Sequence, residues 1–186
     1  MFEGFTSHTV PVGNGVEIAA SVGGSGPPVL LLHGFPETRA CWRHIPTPLA
    51  KKFTVVAADL RGYGESSKPP GGPDHAAYAK RAMAQDQVAL MQALGFPRFR
   101  LVGHDRGGRV AHRAALDHAH RIERLALLDI GPTATMYAAT NQAFATAYYH
   151  WFFLIQPADL PERMIAGDVE HFMRRTLASW ARSETA

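Results

Sequence analysis

The sequence predicts an α/β protein: a mostly parallel, doubly wound sheet carrying a helical cap. Three observations point there. Val29-Leu30-Leu31-Leu32 is a continuous apolar run closed by His33-Gly34, the pattern of a strand buried on both faces. Similar runs recur at Thr54–Ala58, Arg100–Gly103 and Arg124–Asp129, with helix-like stretches between them. After Ile130 no further β-like run occurs, and the composition turns helical up to Ala186.

Each element follows in order. Phe5–Val12 and Val16–Val22 read as two strands joined at Asn14-Gly15, a hairpin turn signal. Gly23 to Pro28 is a loop. Trp42 to about Lys51 is helix-like, made irregular by Pro46 and Pro48. Pro69 to Pro73 is a surface loop. Ala76–Leu94 is the strongest helix, with Met83, Leu90, Met91 and Leu94 on one stripe and Gly95 and Pro97 as stop signals. Gly107–His118 is a further helix. Thr140–Phe153 and Pro161–Trp180 read as cap helices. The chain thus divides at about residue 130, into a core over 1–130 and a cap over 131–186.

Composition narrows the function. Of 186 residues, 46% are hydrophobic, which argues against disorder. The formal charge is +3 and the basic residues are scattered, so neither nucleic acid nor a membrane surface is an expected partner. The ten histidines form no H-E-x-x-H or comparable pattern, and no metal or cofactor is expected. A single cysteine, Cys41, fits a reducing compartment. Met1-Phe2-Glu3-Gly4 lacks a basic, apolar leader, and no apolar run reaches the ~20 residues of a membrane span, so a cytoplasmic protein is expected.

The chemistry concentrates at Gly103-His104-Asp105-Arg106-Gly107, where an apolar strand runs through Gly-x-Asp-x-Gly into a helix. This resembles the nucleophile elbow of the α/β-hydrolase fold, whose usual form is G-x-S-x-G. The bland alternative for Asp105 is a helix N-cap. As a nucleophile it needs no base, because carboxylates are ionised at neutral pH. A carboxylate can displace a leaving group from carbon and form an ester, which water then hydrolyses. His33-Gly34-Phe35-Pro36 follows the first buried strand, where this fold takes an oxyanion-hole amide; Phe35 and Arg106 are the candidate donors. The glycines of Asp59-Leu60-Arg61-Gly62-Tyr63-Gly64-Glu65-Ser66 suit a tight loop, read as scaffold.

HGFPE, DLRGYGES, GHDRGGR, LLDIGPT and YYHWFFLIQPADLPERMI together resemble the fluoroacetate (haloacetate) dehalogenases, over essentially the whole chain. The resemblance implies Asp105 as nucleophile and Asp129 as the acid that orients a catalytic histidine. It implies Arg106 and Arg109 as the pair that binds the substrate carboxylate, and His150 and Trp151 as donors to the departing halide. Arg106 and Arg109 are three residues apart in one helical turn, so both can face one pocket. The implied partner is a small halogenated carboxylate, and a homodimer is compatible with the reading. After Asp129 the histidines are His150 and His171, both in helical sequence. The chain as given is therefore expected to lack the general base and the last strands, and to expose a sheet edge that favours association. Two other readings stay open. One is an epoxide hydrolase with an Asp nucleophile, for which Tyr148 and Tyr149 would be the acids. The other is a non-catalytic, ligand-binding form of the fold. A haloalkane dehalogenase is less favoured, since a neutral substrate leaves the arginines nothing to bind.

Overall fold

A computed structural model describes residues 2–180. The chain forms two compact units, Met1–Thr133 and Ala134–Ala186. The first contains a six-stranded sheet of order β1-β2-β4-β3-β5-β6: β1 Thr6–Gly13, β2 Val16–Gly23, β3 Pro28–Leu32, β4 Thr54–Ala58, β5 Phe99–His104 and β6 Ile122–Leu128. The β1–β2 and β2–β4 pairs are antiparallel, and β3–β4, β3–β5 and β5–β6 are parallel. The first unit is thus built on a mixed, mostly parallel sheet.

The apolar runs are central strands because both of their faces are covered. Leu30 and Leu32 of β3 join Val56 and Ala58 of β4 in one core cluster, packed against α2 (Lys80–Ala93) and α3 (Asp105–Asp117) through Met83, Leu90, Met91, Val110 and Ala111. Val29 and Leu31 point to the other face, with Val55, Ala57, Phe2 and Trp42. Side chains alternate along a strand, so one unbroken run feeds two cores. A fully buried leucine such as Leu31, 1% exposed, contributes about 1.5–3 kcal/mol.

Three helices of the first unit differ from the sequence expectation. The 42–51 segment is a 3-10 turn, Arg39–Trp42, followed by the single helical turn α1, Pro46–Leu49, because Pro46 and Pro48 supply no amide hydrogens. The 76–94 helix breaks at Ala79, which is extended (ψ 143°), between a 3-10 turn at Ala76–Tyr78 and α2. Helix α3 begins two residues earlier than Gly107, at Asp105 itself. Gly107 is there for space: a Cβ on it would strike the carbonyl oxygen of Leu32.

β6 forms one edge of the sheet among the described residues, and Leu125, Leu127 and Leu128 on it are exposed. The second unit is helical: α4 Thr133–Ala138 leads into it, followed by α5 Gln142–Ala147, α6 Tyr149–Phe153, α7 Leu160–Gly167 and α8 Val169–Trp180. Asn141 caps α5, its side chain accepting from the Phe144 amide at 2.9 Å. No helix among the described residues is long and apolar enough to cross a membrane.

Candidate active site

The strand order places the site. From β3 the chain crosses to β4 on one side, then passes back over β3 to β5 on the other. The segments leaving the carboxyl ends of β3 and β5 therefore diverge, and the crevice between them is where open α/β sheets bind ligands. The loop after β3 carries His33–Glu37, and Asp105 follows β5 directly.

Asp105 sits at the first position of α3 with φ +47°, in the left-handed region. The turn lifts its side chain toward the β3 loop, where the Phe35 amide donates to Asp105 Oδ1 at 2.9 Å. The helix N-terminus favours the negative charge. Gly34 is required by this approach, since a Cβ there would lie 2.7 Å from the Asp105 Cβ. Asp129 follows β6 just as Asp105 follows β5, because His104 and Leu128 are paired in register. It too is left-handed, at φ +48°.

The arginines stand on the same turn. The Arg106 guanidinium lies over the Phe35 ring, 4.5 Å from its centroid, and its Nη1 donates to the Tyr63 hydroxyl at 3.1 Å. Arg109 is half-buried one turn on. Lys80 belongs to the same cluster: burial first, then Arg106 and Arg109, pull it down to about 8, against the attraction of Asp105. Its Nζ donates to the Tyr78 carbonyl at 3.4 Å.

The β3 loop is held from beneath. His33 is fully buried; its Nδ1 meets the Gly34 carbonyl at 2.8 Å and its Nε2 accepts from the Leu60 amide at 3.0 Å. These contacts require the neutral Nδ1–H tautomer, and burial lowers His33 accordingly. Glu37 Oε2 accepts from the Gly34 amide at 2.8 Å and meets His104 Nδ1 at 3.2 Å. Burial pushes Glu37 up, but the His104 and Gly34 hydrogen bonds outweigh it and hold it below 4.5. The bond to Glu37 in turn raises His104 above 6.5, more than burial lowers it.

The sign of the pH effect follows. The Glu37 contribution is present above 4.5 and is lost as pH falls through its depressed value. The His104 contribution is present below 6.5 and is lost as pH rises through its elevated value. The gap in thermal midpoint between the parent and Glu37→Gln should therefore be widest between pH 4.5 and 6.5 and narrow on the alkaline side. A melting series that shows a constant gap through the His104 titration would mean the pair stabilises nothing.

His150 and Trp151 are neighbours on α6 in the second unit. His150 is buried, with its ring 4.8 Å from that of Trp180. Trp151 is half-buried, its ring 5.5 Å from Tyr137 and 5.6 Å from both Phe144 and Tyr148. Sequence reasoning missed Tyr63, Lys80, Glu37 and His104. Only Glu37 left a local trace, lying three residues after the glycine whose amide it accepts. No cluster of metal-ligating side chains exists among the described residues.

Comparison with known proteins agrees with this architecture. Residues 27–184 match the family model described as the alpha/beta hydrolase fold. A fluoroacetate dehalogenase from Burkholderia sp. is 55% identical over 180 residues, 97% of this chain and 59% of that protein. A soluble epoxide hydrolase from Corynebacterium sp. (strain C12) is 38% identical, over 89% of this chain and 57% of its own length. A crystal structure from Nostoc sp. PCC 7120, described as an alpha/beta hydrolase, superimposes with a TM-score of 0.96 at 54% identity, covering 100% of this chain and 63% of that one. The chain thus spans about 60% of the length of these relatives. With the elbow at the end of β5 and the model match over most of its length, the chain belongs to the α/β-hydrolase family.

Proposed function

We propose that this chain carries the nucleophile and anion-binding groups of a haloacetate dehalogenase, which converts fluoroacetate to glycolate and halide through an aspartyl ester. The observation that supports it best is the Phe35 amide, which already donates to Asp105 Oδ1. One Asp105 carboxylate oxygen attacks the halogen-bearing carbon and the halide leaves with the bonding pair. Water then adds to the carbonyl carbon of the ester. The oxyanion forms on the remaining Asp105 oxygen, where a donor fixed at 2.9 Å is in place before the reaction starts. In this reading Arg106 also lends its backbone amide to that oxyanion, and Asp129 orients the base that activates the water. His150 and Trp151 donate to the departing halide.

Arg106 and Arg109 give the reading its substrate class. Lys80 feels both arginines and one carboxylate, Asp105, so cationic groups outnumber acidic ones here, a balance that favours an anionic substrate. Arg106→Ala or Arg109→Ala should each remove a charge-assisted contact, about 1.5–3 kcal/mol of haloacetate binding. The test compares chloroacetate with neutral chloroacetamide and with a small epoxide. Turnover of the amide at the rate of the acid would overturn the arginine assignment. Preference for the epoxide would favour the epoxide hydrolase reading, which the Corynebacterium relative keeps in view.

A further inference from the structure

We infer that Tyr63, in the loop after β4, is a positioning residue that sets the preference for anionic substrates by holding the Arg106 guanidinium in place. The inference rests on the carboxylate-binding role proposed for Arg106.

Arginine is long and rotamer-rich, and an unrestrained guanidinium loses that freedom only when substrate arrives. Here two contacts restrain it beforehand. The Phe35 ring supports one face at 4.5 Å, and the Tyr63 hydroxyl accepts from Nη1 at 3.1 Å. Tyr63 lies 43 residues from Arg106 in sequence, so this is a tertiary contact between the loop after β4 and the first turn of α3. Tyr63 is itself well anchored. Its ring meets His33 edge-on at 5.1 Å, its amide donates to the Leu60 carbonyl at 3.0 Å, and its carbonyl accepts from the Ser66 amide at 3.1 Å.

The chemistry of the group matters as much as its position. A carboxylate in place of Tyr63 would hold Arg106 equally well but cancel its charge. A phenol gives a lone pair and no net charge, and burial raises Tyr63 further, so the hydroxyl keeps its proton. Five N–H donors belong to a guanidinium, and Tyr63 engages one nitrogen, leaving an edge for a substrate carboxylate. The same acceptor offsets repulsion among Arg106, Arg109 and Lys80.

The test is Tyr63→Phe, which removes the acceptor and keeps the ring against His33. In a chain that also carries the general base, KM for chloroacetate should rise about tenfold, the worth of one hydrogen bond to a charged group, with kcat and both constants for chloroacetamide within about twofold of the parent. Equal losses on acid and amide would show a merely structural role and overturn the inference. So would unchanged constants on both. Calorimetric titration of chloroacetate into Asp105→Asn, with and without Tyr63→Phe, makes the same comparison without turnover. A parent that prefers the acid while Tyr63→Phe binds it equally well sinks the inference alone. A parent with no preference for the acid, or no binding, sinks the carboxylate-binding reading and the inference with it.

Discussion

In a chain that also carries the general base, Asp105→Asn should lower haloacetate turnover by roughly 10⁴-fold or more, the scale seen when a nucleophile is removed and binding groups remain. Asparagine keeps the shape of the side chain and tolerates the left-handed backbone at φ +47°, so loss of activity would not reflect loss of the elbow. The chemical test is sharper. In solvent enriched in heavy oxygen, a single turnover of the parent with its base should place the label in Asp105. On the proposed mechanism the product hydroxyl carries the oxygen that Asp105 contributed when it attacked, and the water oxygen stays in the regenerated carboxylate. Mass analysis of the peptide containing Asp105 reads this directly. Label in the glycolate from the first turnover would mean that water attacks the substrate itself, and the ester mechanism would fall.

A large effect on stability should come from Asp86→Ala. Asp86 lies on α2 and receives Arg61 in a two-point contact, Nε to Oδ2 at 2.8 Å and Nη2 to Oδ1 at 2.6 Å. The Arg61 side chain is 9% exposed and that of Asp86 4%, and Arg61 Nη1 also donates to the Ala77 carbonyl at 2.8 Å. Burial raises Asp86, and Arg61 opposes that rise. Truncating Asp86 strands a guanidinium away from water, at about 3–5 kcal/mol. That is a large share of the ~5–15 kcal/mol by which a typical domain is stable. Arg61→Met combined with Asp86→Leu removes both charges and should recover most of the loss. Urea unfolding of the three forms decides it. A loss under about 1 kcal/mol for Asp86→Ala would put the pair in the class of exposed ion pairs.

Much of this architecture is readable without a structure, for a physical reason. A strand buried on both faces has nowhere to put a polar side chain, so β3, β4 and β5 stand out as apolar runs. Gly34, Gly103 and Gly107 mark the carboxyl ends of two of them because backbone and Asp105 pass too close for a Cβ. The short helices were harder to read. Arg39–Trp42 and Pro46–Leu49 are decided by local turns and proline, and the break at Ala79 has no signal in the surrounding helical stripe. The supporting residues of the site were not legible either. Glu37 meets His104 across 67 positions, and Tyr63 meets Arg106 only because the loop after β4 meets the first turn of α3. No periodicity records such a meeting. Tyr63 therefore read as scaffold, and its contact with Arg106 shows only in three dimensions.

The backbone at Asp105 and Asp129 carries a further consequence. Both residues occupy a left-handed conformation that glycine, asparagine and aspartate adopt and that costs other side chains about 1–2 kcal/mol each. Glycine fits the backbone at both places without strain. The two turns would thus survive change at the two positions the proposed chemistry needs. A campaign that ranked variants of this protein by melting temperature alone would pass glycine there and discard the nucleophile on the way. Heat resistance is a poor guide to reactivity at the ends of β5 and β6, so stabilising substitutions belong in the packed layers around β3 and α2, away from those strand ends.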